Sequence, residues 1–315
     1  MALLVACIGE AMIELSTAGD PARAAVGVAG DTLNTAIYLA RMAGAGAEVS
    51  YVTALGDDPH SDRMIAFMAA EGVGTGAIRR LPGRLPGLYA ISTDAGGERA
   101  FHYWRSEAAA RAMFEGPDGL DFAVLDGADV LYLSAITLAI LPPATRAALI
   151  AHLAALRPRG VRVAFDSNWR PKLWASVEDA RAAVTAMWAI CDIALPSLDD
   201  EMALFGDVNE AACLARLTAL IPGLGALKRG SGGPAPINAD APGGVYAPAP
   251  SPIDTTAAGD SFNGGFLAAL LAGGDCAAAM AAGHRCAAAV VQHRGAIIPV
   301  TAMPGAAGDP GQAVM

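Results

Sequence analysis

Cysteine is scarce and badly placed for cross-linking. The five residues Cys7, Cys191, Cys213, Cys276 and Cys286 are odd in number and form no Cys-x-x-Cys pair, which argues against a disulfide framework and a structural zinc site. Long apolar runs are missing too. The longest stretch without a charged residue, Val130 to Thr145, carries Ser134, Thr137, Pro142 and Pro143 and falls short of the ~18 residues a membrane span needs. The opening MALLVACIGEAMIEL meets Glu10 too early and lacks the basic flank of a secretory signal. Positive charge is in short supply: 21 Lys and Arg stand against 31 Asp and Glu, a net charge of −10. That excludes a broad nucleic-acid surface but not a small anionic ligand, which needs only a few local donors. The five histidines form no His-Glu-x-x-His pair. Neither a Gly-x-Gly-x-x-Gly after the first strand nor a Gly-x-x-x-x-Gly-Lys-[Ser/Thr] loop is present, so dinucleotide and P-loop sites lack their signatures. The expectation is a soluble, cytoplasmic protein with no membrane or nucleic-acid partner.

What is present suits one large α/β unit: 315 residues, 54% of them hydrophobic, with 36 glycines and 20 prolines that recur at no fixed period and so mark turns. Leu3 to Ile8 reads as a buried strand and Met12 to Leu15 continues in strand-like fashion; Thr32 to Met42 has helical spacing, Val49 to Leu55 is a strand and Ser61 to Ala70 a helix. Ile78 to Arg80, Leu88 to Ser92 and Ala100 to Trp104 are short β-type runs between turn residues, expected together in a small antiparallel sheet. From Leu120 onward strands (Val130 to Leu133, Val161 to Asp166, Ile193 to Leu195, Gly225 to Lys228) alternate with helices (Pro143 to Leu156, Val177 to Ala186, Asp200 to Phe205, Ala211 to Leu220). Such alternation implies right-handed crossovers and a mostly parallel sheet, with ligands at the carboxyl ends of the strands. Helices are expected from Gly259 to Leu271 and from Asp275 to Val291.

The strongest local pattern is Asp254-Thr255-Thr256-Ala257-Ala258-Gly259-Asp260-Ser261-Phe262-Asn263-Gly264-Gly265-Phe266. Small residues before an apolar helical run let backbone amides approach an anion at a helix start. A carboxylate there, Asp260, is unfavourable for mere anion binding but useful as a base. An ordinary N-cap at Asp260 or Ser261 fits the same residues. Arg105 and Arg170 stand beside Trp104 and Trp169; a guanidinium fork matches a carboxylate, although surface arginines beside core aromatics read the same way.

The full run resembles the second signature of the PfkB-type, ribokinase-like carbohydrate kinases, and in its Thr-Thr-Ala-Ala-Gly-Asp form is most similar to members acting on 2-keto-3-deoxygluconate. Resemblance extends through Gly9-Glu10, Met12-Ile13-Glu14, Ala29 to Ala36, Leu85 to Tyr89, Phe101 to Arg105 and Asp166 to Trp174, covering about residues 3 to 300. It implies an α/β ribokinase-like fold: one kinase domain over 1–303, a mostly parallel central sheet flanked by helices, and a small β-sheet lid from about 10–30 and 78–105. A tail from 304 to 315 is expected to be mobile.

The resemblance also implies roles. Asp260 is the catalytic base, with Ala257, Ala258 and Gly259 as the anion hole; Gly30, Asp31, Asn34, Tyr89, Tyr103, Arg105 and Arg170 contact substrate. Lys228, Gly230, Gly233, Gly259, Asn263 and His284 border the nucleotide, and His102 lies in the lid run. Ala29 replaces one of two consecutive glycines usual in the family, and Ser197-Leu198-Asp199-Asp200 replaces an Asn-x-x-Glu motif, leaving Ser197 and Asp200 as weak, water-mediated magnesium partners. Asp166 is expected to hydrogen-bond within the loop that carries Arg170. The implied reaction is phosphorylation of 2-keto-3-deoxygluconate by ATP with Mg2+, giving 2-keto-3-deoxy-6-phosphogluconate, in a homo-oligomer. A fructokinase, ribokinase or related sugar kinase is the alternative within the class, and a non-catalytic sugar-binding regulator the alternative outside it.

Overall fold

The run Leu3–Ile8 (β1) is apolar, and from Val5 onward both of its faces are covered. Val5 and Cys7 point into one hydrophobic cluster and Ala6 and Ile8 into another, the period-two division of a strand at the centre of a sheet. The computed structural model describes residues 2–17, 23–93, 99–241 and 244–304; the expected tail of 304–315, apart from Pro304, lies outside them.

After β1 the chain forms β2 (Met12–Ser16), β3 (Ala25–Ala29), α1 (Asp31–Ala43), β4 (Ala47–Leu55), α2 (Pro59–Ala70), β5 (Ile78–Arg80), β6 (Gly87–Thr93) and β7 (Arg99–Trp104). A minimal hairpin, β8 (Glu115–Gly116) and β9 (Gly119–Leu120), precedes β10 (Val130–Ser134), α3 (Ala135–Ile140) and α4 (Pro143–Leu156). Then come β11 (Arg162–Asp166), α5 (Val177–Trp188), β12 (Ile193–Ala194), α6 (Leu198–Phe205), α7 (Glu210–Leu220), β13 (Leu224–Leu227) and β14 (Ala235–Ile237). Residues 244–257 have no regular structure, and α8 (Ala258–Leu271) and α9 (Cys276–Val290) follow.

The main sheet has eight strands in the order β14-β13-β12-β11-β10-β1-β4-β5, parallel except for the β13–β14 pair. Helices α1, α8 and α9 cover one face, while α3 to α7 pack against the other. Parallel order places the carboxyl ends of β1, β10, β11 and β13 on one edge, so Glu10, Ser134, Asp166 and Lys228 arrive there together.

A second, four-stranded sheet has the order β3-β2-β6-β7. The structure corrects one expectation here. Ile78–Arg80 does not join this small sheet; it pairs in parallel with Thr53–Leu55 at the edge of the main one, the partner its extended backbone meets directly after α2. The fourth strand of the small sheet is instead β3, which pairs antiparallel with β2.

Glycines set the spacing of the helices near that edge. A Cβ on Gly264 of α8 would lie 2.6 Å from the Tyr38 Cβ and 2.9 Å from the Leu39 nitrogen of α1, so the two helices touch backbone to side chain. Gly265 and Gly283 allow the same approach between α8 and α9. Among the described residues no helix is long and apolar enough to cross a membrane.

Candidate active site

Two cavities open along the strand-end edge. The larger, about 870 Å³, lies between the small sheet and the main body; the smaller, about 460 Å³, lies between the β13 end and α9. They share a seam formed by Ser197, Asp199, Lys228, Thr255, Ala258 and Gly259.

The larger cavity gathers the residues read as substrate contacts: Gly30, Asp31, Asn34, Tyr89, Tyr103, Arg105 and Arg170, with Ala257, Ala258, Gly259 and Asp260 on its wall. Alternation along β6 and β7 brings Tyr89, Phe101 and Tyr103 to one face, where Tyr89 and Tyr103 stack at 5.7 Å between ring centres. The Tyr89 hydroxyl donates to Glu14. Phe101 is a wall residue that sequence reasoning did not single out. His102 points the other way, exposed, with Ser92 Oγ 3.5 Å away.

Helix α1 begins beside this cavity. Gly30, its N-cap residue, has no room for a Cβ against the Glu10 carbonyl, so the helix start presses close to β1. Asp31 Oδ2 accepts from Ser134 Oγ at 2.5 Å and Asn168 Nδ2 at 2.9 Å. Asn34 Nδ2 donates to Asp260 Oδ2 at 2.8 Å, joining α1 to α8.

Asp260 stands in the first turn of α8. Ala257 just before it holds a left-handed backbone (φ 59°), which a non-glycine residue adopts only under strain of about 1 kcal/mol or more. That bend turns the Ala258 amide onto Thr255 O and the Ser261 amide onto Ala257 O, and leaves Gly259 and Asp260 as donors of the helix start without an acceptor among the described residues. Burial pushes the Asp260 carboxyl up to about 8, reinforced by Asp31 and Asp166 and opposed by Asn34 and Lys228. A carboxyl so placed, next to unpaired amides, can take a proton from a hydroxyl while an anion sits against the helix end.

Arg105 does not arrive as an unpaired cation. Its Nη2 donates to Glu10 Oε2, and the Glu10 side chain is 1% exposed. The pairing spans 95 residues of sequence, and no local pattern announces it. Arg170 is 52% exposed, donates to the Trp169 carbonyl at 2.8 Å and lies 3.6 Å from Asp200. Asp200 also accepts from the Trp169 amide at 3.2 Å, so it braces the arginine loop. Asp199, passed over in the sequence reading, reaches the seam together with Ser197, whereas Asp200 lines the larger cavity alone. The fully buried Glu201 fixes this turn from behind, accepting from Trp188 Nε1 at 3.2 Å and Arg216 Nη2 at 2.9 Å.

The smaller cavity is lined by Lys228, Gly230, Gly233, Gly259 and His284. His284 Nε2 lies 2.7 Å from the Ala247 carbonyl, and its ring rests against Tyr246. Asn263 does not join them. It is fully buried one turn into α8, its amide bonded to Tyr132 and Asp166 and its carbonyl to Lys228, so it supports the wall from inside. Asp166 likewise bonds beyond its own loop, to Lys228 and Asn263 as well as the Asn168 amide.

Curated relatives share this chain nearly end to end. A 2-dehydro-3-deoxygluconokinase of Dickeya dadantii is 46% identical over 309 residues, covering 95% of this chain and 98% of its own. One from Escherichia coli K12 is 44% identical, covering 96% and 100%. Among solved structures, a PfkB protein of Polaromonas sp. JS666 superposes with a TM-score of 0.80 at 29% identity, over 92% of this chain and 96% of that one. The model of the pfkB family of carbohydrate kinases matches residues 2–303. By fold, by sequence and by the content of its strand-end edge, the chain belongs to the pfkB family of carbohydrate kinases.

Proposed function

We propose that the chain phosphorylates the terminal hydroxyl of 2-keto-3-deoxygluconate with ATP, giving 2-keto-3-deoxy-6-phosphogluconate. The observation that carries this reading is Asp260 on the wall of the larger cavity, next in sequence to Gly259 of the seam shared with the smaller one; the larger is rich in sugar-type donors and arginines, the smaller glycine-lined. The relatives of the same name at 42–46% identity support the substrate.

Substrate hydroxyls would meet Asp31, Asn34 and the tyrosines, and the acid end would meet Arg170 and Arg105. That orientation leaves the far hydroxyl at Asp260, which accepts its proton as the oxygen attacks the γ-phosphorus. The amides of Gly259 and Asp260 would stabilise charge gathering on the transferred group. Hard oxygen donors at the seam, Ser197 and Asp199 with Asp200 nearby, fit Mg2+ held mainly by nucleotide phosphates and water, where it neutralises phosphate charge. No cluster of three or more His, Cys, Asp or Glu suited to a metal occurs among the described residues. A cytoplasmic setting is proposed on the five buried, unpaired thiols, and self-association on the family resemblance.

One observation favours a second reading. Because Glu10 already balances Arg105, the net positive charge offered to an acid is smaller than two arginines suggest, which leaves a neutral ketose such as fructose in contention. Steady-state kcat/KM for the keto acid and for fructose, with ATP and Mg2+, decides. Preference for fructose overturns the proposal, and no phosphorylation of either refutes the kinase reading.

A further inference from the structure

Lys228 is the one cation, among the described residues, that lines both cavities. It follows the last residue of β13, its side chain is 9% exposed, and its position is set from below. Nζ donates to Asp166 Oδ2 at 2.7 Å and to Asn263 Oδ1 at 3.1 Å, both from buried residues that also bond to one another. An ammonium has three donors. Two are occupied by this seat, and the third meets no protein acceptor among the described residues. A Cβ placed on Gly259 would lie 3.5 Å from Nζ, so the ammonium faces the bare helix start across the seam, in space that the absent side chain leaves open.

We propose that Lys228 is a catalytic residue whose third N–H donates a hydrogen bond to an oxygen of the phosphoryl group in flight, with Asp166 and Asn263 as the positioning residues that aim it. The inference rests on the kinase reading above. In the step, the bond from the sugar's terminal oxygen to the γ-phosphorus forms while the bond to the β–γ bridging oxygen breaks. The hydroxyl proton passes to Asp260, and ADP leaves with the electron pair on its β-phosphate oxygen. Lys228 gives a hydrogen bond and keeps its proton. Its charge matters most midway, when the phosphoryl group belongs fully to neither cavity; a cation inside the nucleotide cavity would serve the ground state equally well.

Lys228→Met and the double variant Lys228→Met with Asp166→Asn separate catalysis from support. The single variant strands a buried carboxylate and is expected to lose both melting temperature and turnover. In the double variant the seat is neutral, so melting temperature recovers toward wild type. Turnover should stay down on the order of 10²- to 10³-fold, the usual effect of deleting one preorganised donor to transition-state charge, with KM for the sugar within about threefold. Recovery of kcat along with stability in the double variant makes Lys228 structural and overturns the inference, as does a single variant with kcat within about threefold of wild type. Wild-type turnover of the keto acid, read in the same assay, tests the substrate reading separately. Should wild type phosphorylate only fructose, the comparison is made on fructose with the same criteria.

Discussion

In the proposed reaction Asp260 must be ionised before it accepts a hydroxyl proton, and its surroundings hold the proton on. With the carboxyl pushed up to about 8, chiefly by burial and then by Asp31, kcat/KM should climb as pH rises through about 8 instead of being flat above the ordinary carboxylate range. Asp31→Asn removes the repulsion, lowers the carboxyl and moves the rising limb toward neutral pH; a pH–rate profile in which the limb stays put denies that coupling. The same shift has a stability sign. The unfolded chain releases this proton near the ordinary value, while the native state holds it until about 8, so native stability declines across that window as pH rises. Asp260→Asn escapes the decline: its melting temperature should equal or exceed that of wild type at pH 8, with kcat down about 10²- to 10⁴-fold. The arginines separate in a similar way. Arg105→Met leaves the buried Glu10 unpaired and should cost about 3 to 5 kcal/mol of stability. Arg170→Met, at a half-exposed position, should melt like wild type while raising KM for the keto acid far more than for ATP. Equal melting of the two variants in thermal denaturation contradicts the assigned difference. Local sequence announced Asp260, through the small residues and apolar run around it. It was silent on the partners of Arg105 and Lys228, because Glu10 and Asp166 lie 95 and 62 residues away and only the fold joins them.

Helix α8 carries two glycines with opposite duties. A Cβ at Gly259 meets nothing closer than the Lys228 ammonium, so Gly259→Ala should fold with near-wild-type stability yet slow phosphoryl transfer by filling the seam. A Cβ at Gly264 collides with α1, so Gly264→Ala should cost about 1 to 3 kcal/mol and slow catalysis indirectly, by spreading Asn34 away from Asp260. Calorimetry and kcat on the pair check the division; a stable Gly264→Ala or a fully active Gly259→Ala contradicts it. At this scale much of the chain was legible. β1 was read to the residue, and most helices to within a few positions, since apolar runs and breakers mark them. α3 was not, because Ala135–Ile140 is buried nearly all round and continues the apolar run of β10, erasing the amphipathic period. Its one local mark is Ser134, whose Oγ accepts from the Ile136 and Thr137 amides. Ile78–Arg80 failed for another reason: three residues say strand, but only the tertiary approach of β4 says which sheet. β3 lay hidden behind its glycine.

At the scale of the whole molecule, the small sheet and the main body are joined at one end by a buried ionic contact, Glu10 with Arg105. Glu10 belongs to the turn after β1 and Arg105 to the residue after β7, and Gly87, at the start of β6, is bare because a Cβ there would lie 2.5 Å from Glu10 Oε1. In a hinged closure of the sheet such a contact would act as a fulcrum. Any swing of the sheet over the larger cavity must be smallest beside Gly87 and Trp104 and grow toward Ile91 and Ala100, so backbone amides along β6 and β7 should exchange with solvent in a gradient, slow near the pair and faster away from it. Uniform exchange along both strands shows a sheet that moves as one piece or not at all. If the sheet closes over a sugar in this way, leverage assigns an order to events: the wide end of the mouth would admit the sugar, and the narrow end, where Arg105 sits, would change least. The arginine end of the pocket would then be ready before closure, and the reacting end would be finished last.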